Sequence, residues 1–211
     1  MAVTQLSLYN GALHLLKERK LASLTENREP RRVLDDVWEG AVDACLEQGQ
    51  WNFAMRTAKF AREETFVPAF GYENQFLKPS DLIRVCAVCS DEFFNSPLTQ
   101  YTDEAGSWYS SLSDIYVSYI SNDATAYGGL MSRWPQTFVN VVEHYLAMKA
   151  GARITGKDND EWIKKFRLAL VDGRSKDAMN EPTKFMPQGN WTSARAGNSR
   201  LDRGNRGQLI G

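Results

Sequence analysis

The helical part of this chain is set by residues 8–54, LYNGALHLLKERKLASLTENREPRRVLDDVWEGAVDACLEQGQWNFA. Two stretches within it repeat apolar residues every three or four positions, the spacing that places side chains on one face of a helix. A short polar turn separates them, and the segment closes on the aromatic cluster Trp51-Asn52-Phe53-Ala54. The spacing predicts helices over residues 4–19 and 30–48 and a short helical turn over residues 51–57.

The second of these helices is predicted to carry a wide apolar face. Its central row is Leu34, Trp38, Val42 and Leu46, and residues four apart lie on the same side of a straight helix. Pro30 suits the first turn, because the N–H that proline lacks would be unpaired there anyway. We therefore expect the side chain of Trp38 to lie in the core.

The pattern changes between residues 57 and 122, where helical spacing gives way to β-branched and aromatic residues. Such residues are enriched in strands. Helical spacing returns after Pro135, and Gly156 suits the end of a helix. Strands are predicted over residues 83–88, 99–102, 108–112 and 115–120, and further helices over residues 135–155 and 158–180.

These elements predict a mainly α fold: an antiparallel helical bundle with an inserted small antiparallel β subdomain and an extended C-terminal arm. The predicted domains are the N-terminal helices of the bundle over residues 1–56, the β subdomain over 57–125, the C-terminal helices over 126–188 and the arm over 189–211.

The predicted arm differs in composition from the rest of the chain. Residues 189–211 contain five Gly, four Arg and one Asp, a formal charge of +3, whereas the other 21 basic and 25 acidic residues give −4. A segment so poor in apolar residues cannot bury enough surface to offset its chain entropy. We expect the arm to dock on a partner, with Trp191 as an aromatic anchor and guanidinium groups pairing with carboxylates; the alternative for its arginines is binding to nucleic-acid phosphates. The predicted partner-binding residues are Trp191, Arg195, Arg200, Arg203 and Arg206.

Composition excludes several broad classes. The 211 residues are 43% hydrophobic and 11% aromatic, which is enough for a packed core and argues against a disordered protein. A formal net charge of −1 argues against general nucleic-acid binding by the whole chain. No apolar run is long enough for a membrane span, and the first residues do not resemble a signal peptide. Three cysteines favour a reducing compartment.

Motifs that carry chemistry are weak in this sequence. Cys86 and Cys89 form a C-x-x-C pair, but a zinc site needs four ligands, and the remaining Cys45, His14 and His144 are scattered. Positions three apart in a strand point to opposite faces, so we interpret these cysteines as small buried residues. The two histidines lack the arrangement of a Ser-His-Asp triad. We therefore predict no metal, no cofactor and no enzymatic activity.

Acidic pairs and a glycine pair have simple interpretations. Adjacent carboxylates on a helix do not face each other as glycoside hydrolysis would require, and such pairs are more often solvated faces or surfaces for a basic partner. Tyr127-Gly128-Gly129-Leu130 lacks the Lys-Ser/Thr of a phosphate loop, so we predict a flexible link. The acidic pairs are Asp35-Asp36, Glu63-Glu64, Asp91-Glu92 and Asp103-Glu104.

The order of short motifs along residues 4–190 resembles the head–tail adaptor proteins of short-tailed bacteriophages, the tail tubular protein A type. That family has a helix ending near "L..L...K", then "i.sL.E", then a long helix running into "W.FA". It also has an "LP.D.LR" turn, which residues 77–84 resemble with Lys78 in place of a leucine. Its later helix, "lP..F...v...LA", is matched from Trp134-Pro135 through Phe138 to Tyr145-Leu146-Ala147. The residues that match the first part are Leu13, Leu16, Leu21, Leu24, Glu26, Trp51, Phe53 and Ala54.

The resemblance implies a structural virion protein at the head–tail junction, made in the cytoplasm of the bacterial host. It implies a homo-oligomeric ring, of twelve copies in such adaptors, that joins the capsid portal protein to the tail nozzle or next tail component. The ring would surround the DNA exit channel, with only transient, non-specific contact with viral DNA and no membrane. Two alternatives remain open: a cell-wall (peptidoglycan) hydrolase associated with the phage tail, and a helical DNA-binding module. A zymogram and a salt-dependent DNA-retention assay would discriminate them.

Overall fold

The computed structural model describes residues 3–66 and 68–180. Within these residues the chain forms four α-helices, six β-strands and two 3₁₀ turns, at Asn52–Ala54 and Met131–Arg133. The helices are α1 (Gln5–Leu15), α2 (Glu29–Glu47), α3 (Gln136–Thr155) and α4 (Asp160–Met179). The strands are β1 (Met55–Ala61), β2 (Asn74–Leu77), β3 (Leu82–Cys89), β4 (Thr102–Glu104), β5 (Ser107–Ser110) and β6 (Asp114–Ser121).

The prediction of a mainly α bundle with a small inserted β subdomain is wrong. The described residues are 43% helical and 20% strand, and their strands form two three-stranded antiparallel sheets. The fold is therefore a mixed α and β fold. The predicted helical turn over residues 51–57 overlaps the start of β1, and no strand is predicted at β2. Only Phe76 is buried among the residues of these two strands, and β2 has four residues, so their apolar alternation is too weak to identify them as strands.

The two sheets have their longest or most buried strands at the centre. In the first sheet β6 lies between β1 and β3, with Met55 opposite Ile120 and Val88 opposite Val117. In the second sheet β5 lies between β2 and β4. Every pairing of these six strands is antiparallel. Alternation in β6 sends one set of side chains to each face of the first sheet.

Each set of side chains contributes to a different hydrophobic cluster. Ile120 joins the helical core, which α1, α2 and α3 line with residues such as Leu13, Leu34 and Leu146. The opposite face of β6 packs in a smaller cluster that includes residues of the second sheet. That cluster consists of Phe76, Val88, Trp108, Ile115, Val117 and Tyr119. The strand region is therefore attached to the helices through a shared central strand.

Helix α2 is kinked in the middle of the predicted apolar row. Gly40 has φ of +129°, and Glu39 also leaves helical geometry; this positive φ is a conformation that glycine adopts readily. The kink changes the direction of the face after Trp38, so residues four apart no longer form one straight row. Leu34 is fully buried, whereas Trp38 is only partly buried. Its ring packs edge-on against Tyr9, with centroids 5.7 Å apart.

The aromatic cluster at residues 51–54 fixes the junction between the helices and the strands. Trp51 is buried and donates from Nε1 to the carbonyl oxygen of Cys45 at 3.1 Å. Asn52 donates from its backbone N–H to the carboxylate of Asp177 at 2.9 Å and from Nδ2 to the Asp177 carbonyl oxygen at 2.9 Å. Phe53 packs on Phe138 with centroids 4.8 Å apart. This cluster therefore joins α2, α3 and the end of α4.

Candidate functional site

The predicted partner-binding residues cannot be located in the fold. Trp191, Arg195, Arg200, Arg203 and Arg206 all lie outside the described residues. The predicted arm over residues 189–211 is outside them as well. The described residues expose other surfaces that are candidates for partner binding.

An aromatic groove on the strand region is the clearest such surface. Phe66, Phe70 and Tyr72 line it from the connection between β1 and β2, and Tyr109 lines it from β5. Thr102 and Glu104 of β4 complete its polar side. Its volume is about 360 Å³. Phe70 is 91% exposed, so this ring is available to a partner and contributes little to the core. We call these six residues the aromatic groove.

The polar wall of the aromatic groove is held by contacts made beneath it. Strands β4 and β5 are joined by a turn at Gly106, which has φ of +86°. Lys78 forms an ion pair with Asp103 and donates to the carbonyl oxygen of Glu104 at 2.7 Å. Trp108 is fully buried and donates from Nε1 to Asp103 at 3.3 Å. These contacts fix the backbone of β4, so Glu104 has a defined position at the groove.

The region around the aromatic groove is acidic. Residues 55–121 contain five Lys and Arg and nine Asp and Glu, a formal charge of −4. Glu64 and Glu73 are exposed in the connection that carries Phe66, Phe70 and Tyr72, and Glu104 is exposed on β4. Exposed aromatic rings beside carboxylates suit a cationic side chain, because a guanidinium group stacks on a ring and pairs with a carboxylate.

A second exposed apolar surface lies on α4. Leu168 is 71% exposed and Val171 is 64% exposed, although both are large apolar residues in the middle of a helix. Beside Leu168 a groove of about 350 Å³ runs between α3 and α4 and includes His144 and Asp172. His144 approaches the carbonyl oxygen of Asn140 through Nδ1 at 2.7 Å. Among the residues that the structure describes, α4 therefore exposes an apolar face that is distinct from the aromatic groove.

A polar cluster around Asp81 has a structural role. Its carboxylate accepts from Arg56 at 2.9 Å and from Ser121 at 2.5 Å, and Tyr119 approaches it at 3.4 Å. Partial burial acts to raise the pKa of Asp81, but the hydrogen bonds from Ser121 and Arg56 outweigh it and lower the pKa. Burial and the Asp81 charge raise the pKa of Tyr119 to about 12. The cluster ties β1, the start of β3 and the end of β6 together.

The cysteines lie in surroundings that disfavour the reactive thiolate. Cys45 and Cys89 are buried and Cys86 is half-buried, and burial raises the pKa of all three thiols. A raised pKa reduces nucleophilicity and metal binding, since the thiolate is the reactive form. Among the described residues no group of three or more His, Cys, Asp or Glu side chains is placed to hold a metal ion.

The acidic pairs singled out in the sequence do not come together in a cleft. Of the paired carboxylates only Glu104 lines the aromatic groove, among the residues that the structure describes. Asp35 instead accepts from Tyr9 at 3.0 Å and from Arg31 at 2.5 Å, and Asp91 accepts from the backbone N–H groups of Asn95 and Ser96. Glycoside hydrolysis needs two carboxylates facing one cleft, and the aromatic groove offers one.

Gly128 and Gly129 are closely packed, so the prediction of a flexible link is wrong. The N–H of Gly128 donates to the carbonyl oxygen of Ser121 at 3.0 Å, and the N–H of Gly129 donates to that of Asp123 at 3.2 Å. Trp134 donates to the carbonyl oxygen of Gly128 at 2.7 Å. The loop approaches β6 so closely that a side chain at either position would meet backbone oxygen.

The aromatic groove is not predicted from the sequence. The pairs Glu63-Glu64 and Asp103-Glu104 are interpreted there as surfaces for a basic partner, without a link to Phe66, Phe70 and Tyr72. The density of aromatic residues between Phe66 and Tyr72, next to exposed acids, is the signal that was available. What was missing was the pairing of β4 with β5, which brings Glu104 and Tyr109 to the same place.

Comparisons with other proteins do not assign this chain to a family. No protein-family model matches the sequence, and no curated protein matches it. None of the described helices is long and apolar enough to cross a membrane.

Proposed function

We propose that this chain is a structural virion protein that joins the capsid portal to the tail of a short-tailed bacteriophage. In this proposal copies of the chain form a ring, of twelve subunits as in similar adaptors, around the DNA exit channel at the head–tail junction. The ring binds the portal protein on one side and the nozzle or next tail component on the other. Contact with passing viral DNA is transient and non-specific.

The observation that carries this proposal is the presence of two separate exposed apolar surfaces on a small chain. The aromatic groove lies on the strand region, whereas Leu168 and Val171 lie on α4. A closed ring uses heterologous contacts, so each subunit needs more than one interaction surface. Large apolar side chains that are mostly exposed, such as Phe70 and Leu168, are available for contacts with other subunits or partners. The aromatic groove and the exposed face of α4 together support the proposal that this chain assembles with other subunits.

The order of sequence motifs gives independent support. Trp51, Phe53 and Ala54, which match the adaptor motif "W.FA", build the junction between helices and strands. Asp81, in the segment that resembles "LP.D.LR", connects three strands. The residues that carry the resemblance therefore have structural roles, as expected of a scaffold.

The test is binding to the portal protein of the same phage. The purified chain is mixed with portal rings, and the mixture is sedimented to test for binding. Any complex is then examined by electron microscopy and native mass measurement. We expect a closed ring of this chain, coaxial with the portal. Absence of co-sedimentation under conditions in which both proteins are folded would overturn the proposal. Peptidoglycan clearing in a zymogram would favour the hydrolase alternative instead, and salt-dependent DNA retention would favour the DNA-binding alternative.

A further inference from the structure

The aromatic groove and the C-terminal segment have complementary chemistry. The groove presents Phe66, Phe70, Tyr72 and Tyr109 beside the carboxylate of Glu104, in a region with a formal charge of −4. The segment over residues 189–211 has a formal charge of +3, with four Arg and one Trp. We propose that the aromatic groove binds the segment 189–211 of a second copy of this chain.

The groove favours a guanidinium-bearing segment over other occupants. Phe70 is 91% exposed, and an exposed ring face attracts a cation by its quadrupole. Arginine can stack on such a ring while it pairs with a carboxylate, because its guanidinium is planar and has several donors. A neutral sugar could stack on the rings and donate hydroxyl hydrogen bonds to Glu104, but it would not neutralise the acidic charge, and an apolar ligand would leave the charge of Glu104 uncompensated. The acidic surroundings therefore select a basic peptide.

The length of chain after α4 allows this contact between neighbouring copies. Arg195 follows Asn180 by fifteen residues, and a chain spans at most about 3.3–3.6 Å per residue, or roughly 50 Å. A domain of this size has a radius of gyration of roughly 16 Å, so the maximum span exceeds its diameter. A ring places copies side by side, and in that respect the inference rests on the proposed function.

The first experiment measures the contact directly. A fluorescent peptide of residues 189–211 is titrated with full-length protein that carries Arg195→Glu and Arg200→Glu, so that its own segment competes less. We expect saturable binding that weakens as salt is raised. Adding Phe70→Ala or Glu104→Lys should weaken binding by about tenfold or more.

Two matched controls lie outside the aromatic groove. Phe93 is also a highly exposed aromatic residue, at 74%, and Glu92 is an exposed acid beside it. Phe93→Ala and Glu92→Lys should leave peptide binding unchanged. Equal losses in the groove and control variants, or no saturable binding, would overturn the inference. Binding that survives Glu104→Lys but not Phe70→Ala would also overturn it, because a neutral ligand site would behave in that way.

A second experiment decides whether the segment comes from another copy. One full-length variant carries Arg195→Glu and Arg200→Glu, and the other carries Glu64→Arg and Glu104→Arg. Each variant alone has like charges on segment and groove, whereas the mixture restores opposite charges in both directions. Light scattering at increasing protein concentration should show more association in the mixture than in either variant alone, at the weak level expected of the wild type. A mixture that associates no more than the single variants at any concentration would overturn binding to a second copy.

The portal assay separates this inference from the proposed function. If the peptide does not bind the groove but the chain still forms a ring on the portal, the inference fails and the proposed function stands. If the peptide binds and the mixed variants associate but no complex with portal forms, the adaptor function fails and the contact between copies stands.

Discussion

Gly128 is the residue whose replacement is expected to disturb the fold most directly. A Cβ atom there would lie 2.4 Å from the carbonyl oxygen of Ser121 and 3.0 Å from side-chain carbons of Ala54 and Leu46. The oxygen belongs to the backbone at the end of β6, so it cannot move aside as a side chain can. Gly128→Ala should therefore lower the free energy of unfolding by about 2–3 kcal/mol, the usual cost of overpacking. Chemical denaturation measures this loss.

The control for Gly128 is Gly156, at the end of α3. Gly156 has φ of +66° and open space around the position of a Cβ atom, so Gly156→Ala introduces backbone strain without a clash. That strain costs about 1–2 kcal/mol. A Gly128→Ala protein more stable than Gly156→Ala would show that the loop at Gly128 can move away from β6.

Glu143 is expected to give the fold a pH dependence. It lies on α3 against Gly11 of α1, where a Cβ atom would meet its carboxylate, and burial raises the pKa of Glu143 to about 7 from an ordinary 4.5. Between these two pH values the folded state holds the proton and the unfolded state releases it, so stability falls as pH rises. Above pH 7 the folded protein carries the full cost of the buried charge.

The corresponding variant is Glu143→Gln, which keeps the shape of the side chain and removes its charge. We expect a higher melting temperature than the wild type above pH 7 and a flatter profile of melting temperature against pH between 4.5 and 7. Glu92→Gln, at an exposed acid, is the control and should follow the wild-type profile. Identical profiles for Glu143→Gln and wild type would mean that Glu143 is solvated in the folded protein.

At the level of elements, the kink in α2 determines how much Trp38 stabilises the fold. Leu34 precedes the kink and is fully buried, whereas Trp38 lies beside Glu39 and Gly40 and is only partly buried. Leu34→Ala should cost about 3 kcal/mol, as buried leucines do. Trp38→Ala should cost about 1–2 kcal/mol, less than the cost for a fully buried Trp. Thermal and chemical unfolding of both variants measures these costs. A larger loss of unfolding free energy for Trp38→Ala than for Leu34→Ala would contradict the kinked geometry.

Some elements can be predicted from the sequence and others cannot. The kink in α2 is one feature that the sequence does not reveal. Helices α2, α3 and α4 are long, so their apolar spacing is evident, and β6 is rich in β-branched and aromatic residues. Gly40 alone does not reveal a kink, because glycine also occurs within straight helices. Strands β1 and β2 are partly exposed and their partners lie far away in sequence. For the same reason the aromatic groove could not be predicted, since it depends on which strands pair.

At the level of the whole molecule, the proposed ring is expected to assemble in an order set by the weakness of single contacts. The aromatic groove has a volume of about 360 Å³, which limits the area that one segment can bury. We expect the isolated chain to be monomeric or weakly associated and to close into a ring on the portal, where a high effective concentration raises the overall avidity although each single contact stays weak. Light scattering with and without portal measures this. A stable large ring of the isolated chain at micromolar concentration would contradict this order but not the adaptor role.

Removing residues 189–211 should separate folding from assembly. The described residues contribute two clusters of buried side chains, one around Leu34 and one around Trp108, and we expect these to keep the truncated protein folded, with the circular dichroism spectrum and melting transition of the wild type. The removed segment contains Trp191, of the residue type enriched at binding hot spots, and four Arg residues that suit an acidic neighbour. The truncated protein should therefore fail to form a ring on the portal.

The double variant Arg195→Glu, Arg200→Glu is the matched comparison for this truncation, since it keeps the length of the segment and reverses part of its charge. It should bind portal more weakly than the wild type, and high salt should weaken the wild type in the same direction, because exposed ion pairs are screened. Co-sedimentation measures how strongly the wild type, the truncated protein and the double variant each bind portal. A truncated protein that is folded and still assembles at the wild-type level would show that the segment has no part in assembly, and the two apolar surfaces of the described residues would then have to form every contact in the ring.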